Sequence, residues 1–313
     1  MTQAPAPIPP GIHPMLYAFF EEDGGALRHD MFDRQVDVAL AAGAAGLAVL
    51  GLGTETTKLT EAEREAVIAT VKRRLAGRAP LIATVRGETP EAQIATARRY
   101  RELGASAILL QPPSGPMESA PLRDFFATVI NALDCPAGVQ NAPEFLGYGL
   151  GDADLLALAE SCGNFAIAKL ECSAIALEPV ATMFAGRTMV LNGRCGLELP
   201  DCLRAGAAGM MPGTETIDLT TAIYTAWTAG DHAEAERRYA EALPALTFFM
   251  QGIPQFLTYG KALLAARLGV EVGGARAPFL AATPFGLDCV AHYAARFGPL
   301  PGADPTGTGG RAT

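Results

Sequence analysis

"PLIATVRGETPEAQIATARRYRELGASAILLQ", residues 80–111, decides how the chain is read. Its two ends, PLIATV (80–85) and SAILLQ (106–111), are short apolar runs of strand length. The segment between them, TPEAQIATARRYRELG (89–104), opens on Thr, carries an acid in its first turn and closes on Gly. Those are helix start and stop signals, because Thr can accept from the free N–H groups and Gly tolerates the left-handed exit. The stretch is one β/α unit.

The same alternation runs outward in both directions. Apolar runs at 15–20, 46–51, 136–141, 164–171, 188–193 and 208–213 bring the strand-like segments to eight, with helix-like segments such as MFDRQVDVALAAG (31–43) and TEAEREAVIATVKRRLAG (60–77) between them. Eight such units predict a (β/α)₈ TIM barrel. A doubly wound sheet also alternates, and periodicity does not separate the two. Beyond residue 213 the strand signal stops. ETIDLTTAIYTAWTAG (215–230), DHAEAERRYAEALPALTFFMQ (231–251) and PQFLTYGKALLAARLG (254–269) predict helices. The division expected is a disordered tail at 1–10, the barrel at 11–213, a C-terminal helical extension at 214–300 and a second disordered tail at 301–313.

The 313 residues suffice for a large core, and half of them are hydrophobic. A net charge of −9 without a Lys/Arg-rich run argues against nucleic acid and anionic membrane as partners. Six cysteines lack CxxC spacing, four histidines lack HExxH, and no metal is expected. The N-terminus lacks the basic-then-apolar order of a signal peptide, and VALAAGAAGLAVLGLG (38–53) is too short and Gly-broken to cross a membrane. The expectation is a soluble, cytoplasmic protein with reduced thiols.

In a parallel barrel the chemistry sits at the C-terminal strand ends. Polar residues gather there: Gly51 to Thr56, Gln111 to Ser114, Gln140 to Pro143, Lys169 with Glu171, and Asn192 to Cys195. The run FAIAKLE (165–171) puts Lys169 and Glu171 two apart in a core strand, so both face one side. Burial disfavours an ammonium and leaves a neutral amine able to attack a carbonyl. A strand lysine serves structure as readily as chemistry, and Glu171 reads equally as a counter-ion. Of the other lysines, Lys58 and Lys72 read as solvated, and Lys261 as a snorkelling residue whose head reaches water. The loop GLGTETTKLT (51–60) can hold a carboxylate through hydroxyl and N–H groups, or can be an ordinary connection.

Together, GIHPMLYAFFEEDGGALRHD, GLAVLGLGTETTKLTEAERE, FAIAKLE and NGRCGLELPDCLRAGAAGMMPG resemble the dihydrodipicolinate synthase/N-acetylneuraminate lyase family over residues 11 to 300. The resemblance implies a barrel with a helical extension, a tetramer, and a Schiff base between the strand 6 lysine, here Lys169, and a 2-oxo acid. The family's two carboxylate-binding threonines fall on Leu52 and Gly53, which moves that role to Thr54 and Thr56. Its strand 5 tyrosine is Gln140, and the arginine that dihydrodipicolinate synthases use falls on Phe145. VQNAP with Lys-x-Glu looks like the 2-keto-3-deoxy-L-arabonate dehydratase branch, where the glutamate transfers protons. The strand 7 loop residues Gly193, Arg194 and Cys195 are expected to contact substrate. The resemblance thus implies a cofactor-free hydro-lyase acting on a 2-keto-3-deoxy sugar acid, with Lys169 and Glu171 catalytic. A pyruvate-dependent aldolase and a non-catalytic 2-oxo acid binder are the alternatives.

Overall fold

The computed structural model describes residues 8–303. It contains eight parallel strands: β1 (Gly11–Ile12), β2 (Leu47–Val49), β3 (Leu81–Val85), β4 (Ala107–Leu110), β5 (Ala137–Asn141), β6 (Phe165–Leu170), β7 (Met189–Asn192) and β8 (Gly209–Met210). They pair in the order β1-β8-β7-β6-β5-β4-β3-β2. The two open edges meet at Met15, which bridges in parallel to both Ala48 and Gly213. Ala48 N donates to Pro14 O and Leu16 N donates to Ala48 O, both at 2.9 Å. These bonds close the (β/α)₈ barrel, as the repeated units predict.

Strand 1 differs from its reading. The apolar run 15–20 joins the ladder only at its first residues, and the paired segment lies upstream at Gly11–Ile12. The run is apolar because Tyr17, Phe19 and Phe20 are buried beneath the C-terminal helices, and burial alone does not distinguish a strand from a covered loop.

The helices between the strands are α1 (His29–Ala41), α2 (Glu61–Leu75), α3 (Pro90–Glu102), α4 (Ser119–Asn131), α5 (Pro143–Leu146), α6 (Asp152–Ser161), α7 (Ala174–Phe184) and α8 (Leu199–Arg204). Thr60 caps α2 in a reciprocal capping box with Glu63, and Thr89 caps α3 by accepting from Ala92 N. After β8 come α9 (Ile217–Thr228), which packs on β1, then α10 (His232–Phe249), α11 (Ile253–Gln255), a π-helical turn at Phe256–Gly260, α12 (Lys261–Leu268) and α13 (Pro284–Phe297). Residues 1–7 and 304–313, where most of the two expected tails fall, lie outside the described residues. Among the described residues no helix is long and apolar enough to cross a membrane.

Period-two alternation explains where the polar groups end up. Ala48, Ile82, Ala107, Leu109, Ile167 and Leu191 fill the barrel interior. Two residues further along three of these strands, the same inward side carries Gln111, Lys169 and Gly193. The interior is therefore apolar through these layers and turns polar at the top, with His13 a buried polar group at the lower end.

Arg267 ties the C-terminal helices to the barrel. Its side chain is fully buried. It donates to both carboxylate oxygens of Asp218 (2.9 and 2.6 Å), to Glu215 O (2.8 Å) and to Gly298 O (2.9 Å). Arg267→Ala strands these acceptors, and we expect a loss of about 3 kcal/mol of unfolding free energy in urea denaturation.

Candidate active site

Three neighbouring strands build the site at their C-terminal ends. Gln140 on β5 stands in register with Lys169 on β6. Lys169 Nζ and Gln140 Nε2 both donate to Glu171 Oε1, each at 2.7 Å. Gln140 Oε1 in turn accepts from Gln111 Nε2, just beyond β4, at 3.1 Å. Lys169 is 6% exposed and Glu171 5%. An ion pair so far from water persists because each partner has the other and Glu171 has a further donor. A lysine amine and a carboxylate thus share one small volume, with the carboxylate orientation held from the side.

Gly193, at the tip of β7, is what gives this pair room. A Cβ there would sit 2.6 Å from Glu171 Cγ and 2.8 Å from Lys169 Cε. The adjoining cavity receives Lys169, Glu171, Gly193 and Cys195, and its walls are otherwise mostly apolar. Met15 and Met211 come from the barrel, Leu52 and Gly53 from the loop after β2, and Phe145 from α5. Met250, Ile253 and Phe256, all from the C-terminal helices, cover it.

The structure brings only part of the expected set to this cavity. Gln140 is there through Glu171, as an orienting group rather than a wall. Thr54 is fully buried and turned into its own loop, donating to Leu16 O (2.6 Å) and accepting from Leu50 N (2.9 Å). Thr56 lines a separate, larger chamber. Arg194 pairs with Glu198 at 2.6 Å and does not line the Lys169 cavity. Cys195 does line it, in a left-handed conformation (φ +53°). Burial holds its thiol well above the usual range, and the nearby Glu215 charge adds to this.

Two lysines read as solvated are not. Lys58 Nζ lies 2.5 Å from one oxygen of Glu55, and Lys261 pairs with the other. Lys261 also lies over the rings of Phe19 and Phe20, at 5.8 and 5.6 Å. Burial pushes the Lys261 ammonium below its usual value while Glu55 opposes that shift. The helix period put Lys261 at a polar edge, but the loop carrying Glu55 folds over it. Lys169 remains the lysine that opens onto the cavity.

Sequence reading missed one pair. Glu215, after β8, and Tyr17, after β1, are wholly buried and converge on Gly213, where a Cβ would lie 2.7 Å from Tyr17 Oη and overlap a Glu215 oxygen. Burial pushes the Glu215 carboxyl up to about 7. An acid in MMPGTETIDL at the end of the last strand was the available signal, but its separation of about 200 residues from Tyr17 hid the pairing.

Two outcomes follow from this geometry. Gly193→Ala must displace the Lys169–Glu171 pair, and we expect reductive trapping of a 2-oxo acid on Lys169 to fall about a hundredfold with the circular dichroism unchanged. For Glu215, the folded carboxyl holds its proton to higher pH than the unfolded one. The stability this contributes is fully present below about 4.5 and is lost as the pH rises through about 7. Glu215→Gln, neutral throughout, should gain up to about 3 kcal/mol over the native chain at pH 8, and the gain should shrink towards pH 5 in urea titrations.

The profile of the Dihydrodipicolinate synthetase family matches residues 9–289. An L-2-keto-3-deoxyarabonate dehydratase from Azospirillum brasilense is 30% identical over 253 residues, covering 79% of this chain and 81% of that protein. A 4-hydroxy-tetrahydrodipicolinate synthase from Methanopyrus kandleri is 27% identical over 75% of this chain and 79% of its own. Among solved structures, a putative dihydrodipicolinate synthetase from Pseudomonas aeruginosa superposes with a TM-score of 0.85 at 24% identity, covering 92% of this chain and 99% of that one. YagE from Escherichia coli K12, solved with pyruvate, gives 0.84 at 23%, covering 92% and 98%. With the profile spanning the barrel and the lysine on β6, the chain belongs to the dihydrodipicolinate synthetase family of lyases.

Proposed function

We propose that the chain is a Schiff-base hydro-lyase acting on a 2-oxo acid that carries a hydroxyl at C4, the class that includes the 2-keto-3-deoxy sugar acids. The observation that carries this reading is the shared acceptor: Lys169 and Gln140 both donate to Glu171 Oε1 at 2.7 Å. Lys169, once neutral, adds to the C2 ketone, and loss of water gives a protonated imine. That cation acidifies C3–H, because the electron pair left behind spreads into an enamine. Glu171, already within reach of Nζ, takes the C3 proton and returns it to the departing C4 hydroxyl, which leaves as water. Hydrolysis of the conjugated imine frees the product and the lysine. The imine is the electron sink, so the sequence of steps calls for no cofactor.

The similarity to a keto-deoxy acid dehydratase supports the hydro-lyase assignment. Gln140 has no exchangeable acid, which supports Glu171 as the proton carrier in place of the family's tyrosine. We read the working form as a cytoplasmic homotetramer, a reading supported by the exposed Ile175 and Phe285, which a single chain leaves uncovered.

Borohydride reduction in the presence of pyruvate, followed by peptide mass mapping, tests the chemistry. The expected adduct lies on Lys169. Glu171→Gln should still form it but exchange the pyruvate methyl protons with D2O about 10²–10⁴ times more slowly. An adduct on Lys261, or none, would remove the proposal. Release of pyruvate from a 4-hydroxy-2-oxo acid would reassign the reaction to carbon–carbon cleavage.

A further inference from the structure

The cavity wall specifies more than the imine chemistry requires. The polar side chains that open onto it are Lys169, Glu171 and Cys195, and the first two are engaged with one another. Every other side chain lining it is apolar. Leu52 and Phe145, both large and apolar, stand 38% and 42% exposed at its mouth. A substrate hydroxyl beyond C4 would leave water for a surface whose side chains are mostly apolar. Each such hydroxyl weakens binding by about a hundredfold relative to a group that the wall suits.

The cavity has a neighbour. Leu52 and Ile253 belong at once to the Lys169 cavity and to an adjoining chamber of about 980 Å³. The chamber continues the apolar surface through Pro254, Leu257, Val272, Phe279 and Leu280. At its inner wall the single carboxylate of Glu55 pairs with both Lys58 and Lys261. Arg86 donates to Ser114 at 2.5 Å. Most of the surface that the chamber presents to a ligand is nonetheless apolar.

We propose that the substrate is a 2-oxo acid whose chain beyond C4 ends in an apolar group, aromatic or branched-alkyl, which passes between Leu52 and Ile253 into this chamber. The inference rests on the imine reading above and narrows its substrate class on the far side of C4. Dehydration then converts R–CHOH–CH2–CO–COO⁻ into R–CH=CH–CO–COO⁻ and water, with R held in the chamber and the reacting carbons beside Lys169 and Glu171. Burying a phenyl-sized group favours binding in proportion to the apolar area removed from water.

Reductive trapping on the full chain distinguishes the possibilities. We would measure the concentration that half-saturates adduct formation on Lys169 for pyruvate, 2-oxo-4-phenylbutanoate and 2-keto-3-deoxy-L-arabonate. The expected result is half-saturation by the phenyl compound at a concentration at least tenfold below the other two. In Leu257→Asn the ratio between the phenyl compound and pyruvate should shrink severalfold, because the change places an amide in the chamber wall. Half-saturation by the sugar acid at or below the concentration needed for the phenyl compound would overturn the inference and leave the imine reading intact. An unchanged ratio in Leu257→Asn would overturn the placement of the apolar group. Absence of any adduct with pyruvate would instead strike the imine reading, and the inference with it.

Discussion

The carboxylate of Glu171 holds the site together. One of its oxygens accepts from Lys169 Nζ and from Gln140 Nε2, and Gln140 is steadied by Gln111. Three adjacent parallel strands each contribute one link, so the spacing of the groups is the spacing of the barrel. Because the pair is buried, its attraction is little screened, and because its hydrogen bonds are met, the burial is tolerable. Removing either partner would leave a charge without an answer. The same arrangement suits the proposed chemistry, since the amine that would form the covalent bond is already beside the carboxylate that would act next.

The space around that pair is set by subtraction. Gly193 leaves out a side chain where any Cβ would strike both Lys169 and Glu171. At other positions polar groups are replaced rather than removed: Leu52, Gly53 and Phe145 stand where the family resemblance implies two threonines and an arginine. The C-terminal helices complete the enclosure by bringing Met250, Ile253 and Phe256 over the mouth. Their own attachment runs through Arg267 and through the Glu55–Lys261 pair, so the covering of the cavity depends on charged groups far from it in sequence.

Behind the cavity, Tyr17 and Glu215 place a second buried acid close to Cys195. Burial raises the Glu215 carboxyl to about 7, so its charge changes near neutral pH. The pair lies where the chain leaves β1 and β8, which are neighbours in the sheet.

Local pattern was enough for much of this protein. Apolar runs of strand length alternating with capped helices determined the β/α repeat, though not its closure into a barrel, and period-two alternation determined that Lys169 and Glu171 share a face. Capping chemistry determined where α2 and α3 begin. What the tertiary structure decided are pairings between residues distant in the chain. Thr54 turned out to bind Leu16 O, Lys261 to lie under Glu55, and Gln140 to orient Glu171, none of which a local window contains. Strand 1 moved upstream for the same reason, since an apolar run reports burial but not what buries it. Hydrogen bonding and periodicity act within a few residues, so the sequence carries them openly; the partner of a buried charge is chosen by the closed barrel, and only there can it be seen.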